Sequence, residues 1–217
     1  MRQRPQRPQG TRRSPRWETT LLGALAYPGN IFLGSLAVLI LSLGIITVLP
    51  AAIALARAFA LWNVTNDDKV FTNTFRQFRE TWRRTLGLGA IATVVFAILV
   101  ADGIFLAAQL TSTGDPLALM FAAAVMPIAA AVGVFAVALT AAATLSTEAD
   151  ARTWAREGFV LMLQHPRRSL LVLFTLTVTI VASVLLPSLA PFVTIALPVY
   201  VGVRAWGPKR PVNDEQD

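Results

Sequence analysis

The residues that could carry chemistry are few and scattered. The chain contains no cysteine and a single histidine, His165. Disulfides and thiolate metal sites are therefore excluded, and a histidine-based metal or acid–base site is not expected. No nucleophile stands beside a base, no carboxylates cluster, and no phosphate-cradling loop is present. The residue inventory thus implies no catalytic residue, no metal ligand and no cofactor site, and points away from an enzyme. Two charges stand apart. Arg57 and Asp102 are the only ones well inside apolar runs, where a charge is costly and faces protein or water rather than lipid. Arg57 follows Pro50 by seven residues, and Asp102 precedes the end of its own run by a similar number. At about 1.5 Å per residue both would lie on the order of 10–12 Å below the outer surface. Equal depth permits a buried ion pair, which would either hold a helix bundle together or line a pathway. The alternatives are an Arg57 that reaches towards headgroups and an Asp102 that lies close to the outer surface.

The elements that must position these charges follow from composition. Of 217 residues, 55% are hydrophobic and 14% charged, against roughly 25% charged in a typical soluble domain. Such a chain cannot cover a soluble core, and the expectation is an all-α, polytopic membrane protein. A spanning helix needs about 20 apolar residues. Six runs qualify as candidates: 31–49, 51–63, 86–110, 117–145, 170–186 and 190–206. The second is short and carries Arg57. Residues 1–16, rich in Arg, Pro and Gln, read as a disordered tail. Residues 17–206 read as the integral membrane domain and 207–217 as a polar tail. Within the domain, 17–26 predicts a short interfacial helix, ended by a break at Pro28-Gly29-Asn30. Ala54-Leu55-Ala56 resembles a signal-peptide cleavage site, but the run before it is too long for a signal and more runs follow, so it reads as a retained helix.

The six runs group as three hairpins, with turns at Leu49-Pro50, at Asp115-Pro116 and at Leu186-Pro187. Two long basic linkers, 65–85 and 146–169, separate the pairs and end alike, in Trp82-Arg83-Arg84-Thr85-Leu86 and His165-Pro166-Arg167-Arg168-Ser169-Leu170. This is a weak internal repeat. Basic residues accumulate in cytoplasmic loops. Here the N-terminus, both linkers and the C-terminal end (Arg204, Lys209 and Arg210) hold every Lys and Arg except Arg57, and the short turns hold none. Six spans with both termini in the cytoplasm satisfy that distribution.

The linkers predict amphipathic helices. Phe71, Phe75, Phe78 and Trp82 recur at spacings of four, three and four, one helical face, with Arg76, Arg79 and Arg83 off it and Arg84 following. In the second linker Trp154 and Phe159 repeat the pattern, opposite Arg152 and Arg156, with Arg167 and Arg168 at its end. Such faces suit the membrane boundary, with rings in the acyl edge and arginines on anionic lipid headgroups. They equally suit packing on a helix bundle. The N-terminal arginines lack the aromatic interleaving of a nucleic-acid site, so topology setting and anionic-lipid attraction account for them better. Asn63-Val64-Thr65 matches a glycosylation sequon but falls on the cytoplasmic side of this topology. Thr175, Thr177 and Thr179, in an apolar run, are expected to bond their own helix backbone.

The segment from Gly44 through Thr47, Pro50 and Ala51 to Ala54, followed by the aromatic and basic linker 71–86, resembles the YesL-like family of bacterial integral membrane proteins. The resemblance runs over about residues 17–206 and departs at Gly44, at Leu49 and in the arginine-rich leader. It implies a multi-pass protein of the bacterial cytoplasmic membrane with no catalytic residues to carry over. Its members are often encoded beside carbohydrate-uptake ABC transporters. Two functions compete: a non-enzymatic accessory component that binds ABC transporter subunits and the bilayer, or a small-solute transporter or channel in its own right, which would need a polar cavity around Arg57 and Asp102.

Overall fold

The computed structural model describes residues 17–112, 116–188 and 190–208 and, among these, is helical with no strand. The expected tail 1–16 and most of the tail 207–217 lie outside the described residues. In chain order the helices are α1 (Trp17–Leu41), α2 (Val48–Thr65), α3 (Val70–Ser112), α4 (Pro116–Leu145), α5 (Ala151–Gln164), α6 (Pro166–Leu185), the short α7 (Ala190–Val193) and α8 (Ala196–Trp206), with a 3-10 turn over Ile45–Thr47. Among the described residues, four segments are long and apolar enough to cross a membrane: Ile45–Thr65, Val70–Gln109, Leu119–Leu145 and Pro166–Leu185. Tyr27–Leu41 and Ala190–Trp206 are apolar but shorter.

Proline explains most of the boundaries, and also where the expected ones move. α1 runs unbroken through Pro28, so the separate interfacial helix and the break at 28–30 do not form. The first turn is not at Leu49-Pro50 but at residues 42–47, and Pro50 sits inside the first turn of α2. A first-turn proline is tolerated because its missing N–H would have no partner there. The two linkers differ for the same reason. In the second, Pro166 holds the preceding His165 at φ −125°, ψ 67°, outside the helical region, and so separates α5 from α6. The first has no proline, and its linker runs on into the apolar segment as one helix of 43 residues, about 65 Å long at 1.5 Å per residue. The last apolar run is divided at Thr194 and Ile195, four residues before Pro198, which cannot donate to the Thr194 carbonyl.

The core is built on α2. Twelve of its 18 residues are buried, from Pro50 to Trp62, and half of these are alanine. An apolar helix buried on all sides needs neighbours all round, and α1, α3, α4 and α8 supply them. Small side chains permit the close approach. A Cβ at Gly34 of α1 would lie 2.6 Å from Leu55 Cδ1, and one at Gly89 of α3 would strike the Ile46 carbonyl. The contact with α3 is the most extensive in the molecule, and it involves the arginine-bearing half of that helix: Val70 joins the Phe59 cluster and Gly89 meets Pro50. α5 folds back on α4 in the same manner, with Gly158 against the Leu139 backbone. The first half of α4, the second half of α3 and much of α6 instead expose large apolar side chains, among them Phe96, Ile104, Phe105, Met120, Phe121, Phe174 and Val184.

Candidate functional site

A polar cluster forms where α2, α4 and α5 meet, and Arg57 is its centre. Arg57 is 6% exposed. Nε donates to the Ala143 carbonyl at 3.1 Å and a terminal nitrogen donates to the Thr147 carbonyl at 2.8 Å. α4 ends at Leu145. The carbonyls of a last helical turn have no partner within the helix, and the helix dipole makes that end negative. Arg57 therefore caps α4 with a cation reached from α2. The guanidinium also lies over the Trp154 ring, 5.0 Å from its centroid. Trp154 is wholly buried and donates from Nε1 to the Ser146 carbonyl at 2.6 Å. The Ser146 hydroxyl donates to the Glu157 carboxylate at 2.8 and 3.0 Å. Ile53, Leu139 and Ala143 close the cluster from the apolar side. These groups tie three helices at one junction. They do not form a nucleophile–base pair, and no group of three or more metal-ligating side chains occurs among the described residues.

Asp102 is elsewhere. It is exposed and opens into an apolar cleft between α3 and α4 lined by Val95, Ile98, Leu99, Val125, Ile128 and Val132. Eleven residues of α4, about 16 Å, separate the nearest of these, Val132, from the Ala143 carbonyl that Arg57 holds. The ion pair that equal depth permitted is thus replaced by a cation on helix-end carbonyls and a carboxylate in an apolar cleft. The depth argument counted residues along each helix from its presumed outer end, and both turn position and helix crossing shift that origin.

The aromatic–arginine face of the first linker is arranged differently from the expected amphipathic surface. Arg76, Arg79, Arg83 and Arg84 are exposed, and Phe71, Phe75, Phe78 and Trp82 are half-buried. Phe71 and Phe75 touch at 5.1 Å between centroids, Phe78 packs on the α2 core, and the Arg83 guanidinium covers Trp82 at 5.5 Å. The most deeply buried stripe is polar: Thr74, Thr81 and Thr85. Each threonine hydroxyl donates to the carbonyl four residues back, at 2.8, 2.8 and 3.1 Å, so the stripe presents only methyl groups to α2. The spacing of seven and four between these threonines was the signal for it. In the second linker Trp154 is a core residue rather than a lipid-facing one, while Phe159, Arg152, Arg156 and Arg167 are exposed and Arg168 is half-buried. Thr175, Thr177 and Thr179 bond Leu171, Leu173 and Thr175 carbonyls of their own helix.

The hinge between α2 and α3 is set by Asn66, in the left-handed region at φ 57°, and by Asp67. The Asp67 carboxylate accepts from the Asn73 side chain at 2.9 Å and from the Lys69 N–H at 3.2 Å. These bonds hold its carboxyl below the ordinary carboxylate range.

Residues 28–103, from within α1 to just past Asp102, match a family model described as "Protein of unknown function, DUF624". That stretch holds Arg57 and its whole helix, the first linker and Asp102, but not α4 or α5, which complete the Arg57 junction. Comparison with curated proteins and comparison with solved structures give no match.

Proposed function

We propose that this chain is a non-enzymatic integral membrane protein that works by association, as an accessory component of a solute importer, with carbohydrate ABC uptake the class implied by its YesL-like resemblance. The observation that carries this reading is how the intramembrane charge is used. Arg57, the strongest candidate for a polar pathway, bonds the Ala143 and Thr147 carbonyls and covers Trp154, and Asp102 lies apart from it, in the cleft between α3 and α4. What the fold leaves available is surface: the apolar flanks of α3 and α4 around Asp102, and the arginine rows of α3 and α5. The first fits partner helices in the bilayer. The second fits anionic headgroups, each basic residue near a charged surface contributing on the order of 1 kcal/mol. Charge placement supports a bacterial cytoplasmic membrane location with both termini and both arginine-bearing segments on the cytoplasmic side, and α3 and α4 as a crossing pair between them.

Cross-linking in intact membranes followed by identification of the cross-linked proteins tests this. Transporter membrane subunits among the products, together with reduced carbohydrate uptake in a deletion strain, are the expected result. A chain that cross-links only to itself, in a strain whose uptake is unchanged by deletion, refutes the accessory role.

A further inference from the structure

The α1–α2 connection has the composition of a membrane-buried segment and the position of one. No charged residue occurs between Glu18 and Arg57. At the turn itself Leu43 is 84% and Ile45 72% exposed, and Ile46 and Val48 are exposed as well. A turn in water has little reason to present four large aliphatic side chains. Much of its backbone is paired inside the protein, as backbone in hydrocarbon must be, although the buried Ser42 hydroxyl has no partner. The Thr47 hydroxyl donates to the Leu41 carbonyl at 2.6 Å and also contacts the Gly44 carbonyl, while the Thr93 hydroxyl of α3 reaches the Ile45 carbonyl at 3.3 Å. The N–H groups of Ser42, Leu43 and Thr47 donate to Val38, Ile40 and Gly44.

The depth of this turn is fixed by α3. Ile46 and Pro50 lie against Gly89, and Ile45 against Thr93. Along α3, Gly89 and Thr93 are five and nine residues beyond Arg84, the last exposed arginine, or about 7 and 14 Å. From Thr93 to the end of α3 at Ser112 is a further 19 residues, about 28 Å. The hydrocarbon core is about 30 Å thick. If the apolar half of α3 crosses it, the α1–α2 turn stops well short of the far side.

We infer that α1 and α2 form a re-entrant hairpin whose apolar turn is embedded in the acyl chains of the cytoplasmic leaflet and returns to the cytoplasm without crossing. α2 then owes its apolar character to burial inside protein, beside the arginine-bearing half of α3, and not to contact with lipid. An even number of crossings is retained, so both termini stay on the same side. The inference rests on the reading that α3 and α4 cross the bilayer.

The natural chain has no cysteine, so single cysteines report position directly. Leu43→Cys and Gly44→Cys probe the turn, Thr111→Cys the far end of α3, and Thr72→Cys the arginine-bearing end. Both turn positions tolerate the change, since Leu43 is exposed and a Cβ at Gly44 meets only Thr47 side-chain atoms at 3.4 and 3.6 Å. Each variant is treated with a membrane-impermeant maleimide, in intact cells and in inside-out vesicles, and again after detergent solubilisation. The expected result is labelling of position 111 from outside, labelling of position 72 from inside, and at least tenfold slower labelling of 43 and 44 from either side until detergent is added. Labelling of 43 and 44 from outside at the rate of 111 makes α1–α2 a full crossing and overturns the inference. Labelling from inside at the rate of 72 places the turn in the cytosol and overturns it equally. A failure of 111 to label from outside instead overturns the α3–α4 crossing on which the inference stands.

Discussion

Replacing Arg57 is the sharpest probe of the junction. Arg57→Met keeps much of the side-chain volume and removes the cation. Two backbone carbonyls, Ala143 and Thr147, lose their donors, and backbone acceptors cannot be replaced by an apolar group of the same shape. A hydrogen bond from a charged donor contributes about 1.5–3 kcal/mol in water-soluble proteins and nearer 0.6 kcal/mol in membrane bundles, where the reference state also finds partners. The two bonds together then contribute about 1–6 kcal/mol. The stacked cation on buried Trp154 contributes about 1–2 kcal/mol more. Relief of guanidinium desolvation works in the other direction. The balance is a loss of about 2–4 kcal/mol. In a protein of this size each kcal/mol moves a reversible Tm by about 2–4 °C, so the apparent Tm in detergent should fall by roughly 4–16 °C. Arg57→Lys retains charge and one bond and should lose about half as much. A cycle with Trp154→Phe should show coupling of about 1 kcal/mol between the two side chains. An Arg57→Met protein as stable as the parent, or a cycle with no coupling, would refute the view that Arg57 holds α4 and α5 in place.

The glycines separate into two kinds that single substitutions should distinguish. Gly158→Ala would put a Cβ 2.8 Å from the Leu139 Cα, backbone that cannot yield, and should lower thermal stability by 1 kcal/mol or more, on the order of overpacking costs; Gly103→Ala, in open space on α3, should raise it by about 0.5–1 kcal/mol. The Asp67 carboxyl, held low chiefly by the Asn73 amide, contributes stability that is present above the ordinary carboxylate range and lost as pH falls through its depressed value. Asp67→Ala should therefore be less stable than the parent at neutral pH, with the gap closing on titration below pH of about 4; a gap independent of pH removes the carboxylate from the account. Asp102→Leu takes an exposed carboxylate out of an apolar cleft, and should leave the isolated protein as stable or more stable while reducing recovery of cross-linked partners. Loss of stability with unchanged cross-linking would assign Asp102 to the fold instead.

Much was legible in the sequence because a bilayer imposes its rules on composition and charge. Apolar run lengths located most of the helices, and the linker periodicity identified helices whose arginines do face outward. Proline and threonine chemistry was equally local: Pro166 separates α5 from α6, and the α6 threonines bond their own backbone as the apolar context requires. What the chain could not disclose was where these helices lie relative to one another. An Ala-rich apolar run reads the same whether lipid or protein surrounds it, and only the packing of α1, α3, α4 and α8 around α2 decides for protein. Arg57 looked like half of an ion pair because a side chain's partners depend on helix crossings, and the groups it meets are carbonyls, which every residue carries and no sequence pattern marks. The sequence by itself determined a helical chain with runs long and apolar enough to cross a membrane and arginine-bearing segments between them. The tertiary structure alone decided that its buried arginine closes a helix end and that its alanine-rich helix α2 is wrapped in protein, because burial is a property of neighbours rather than of the residues buried.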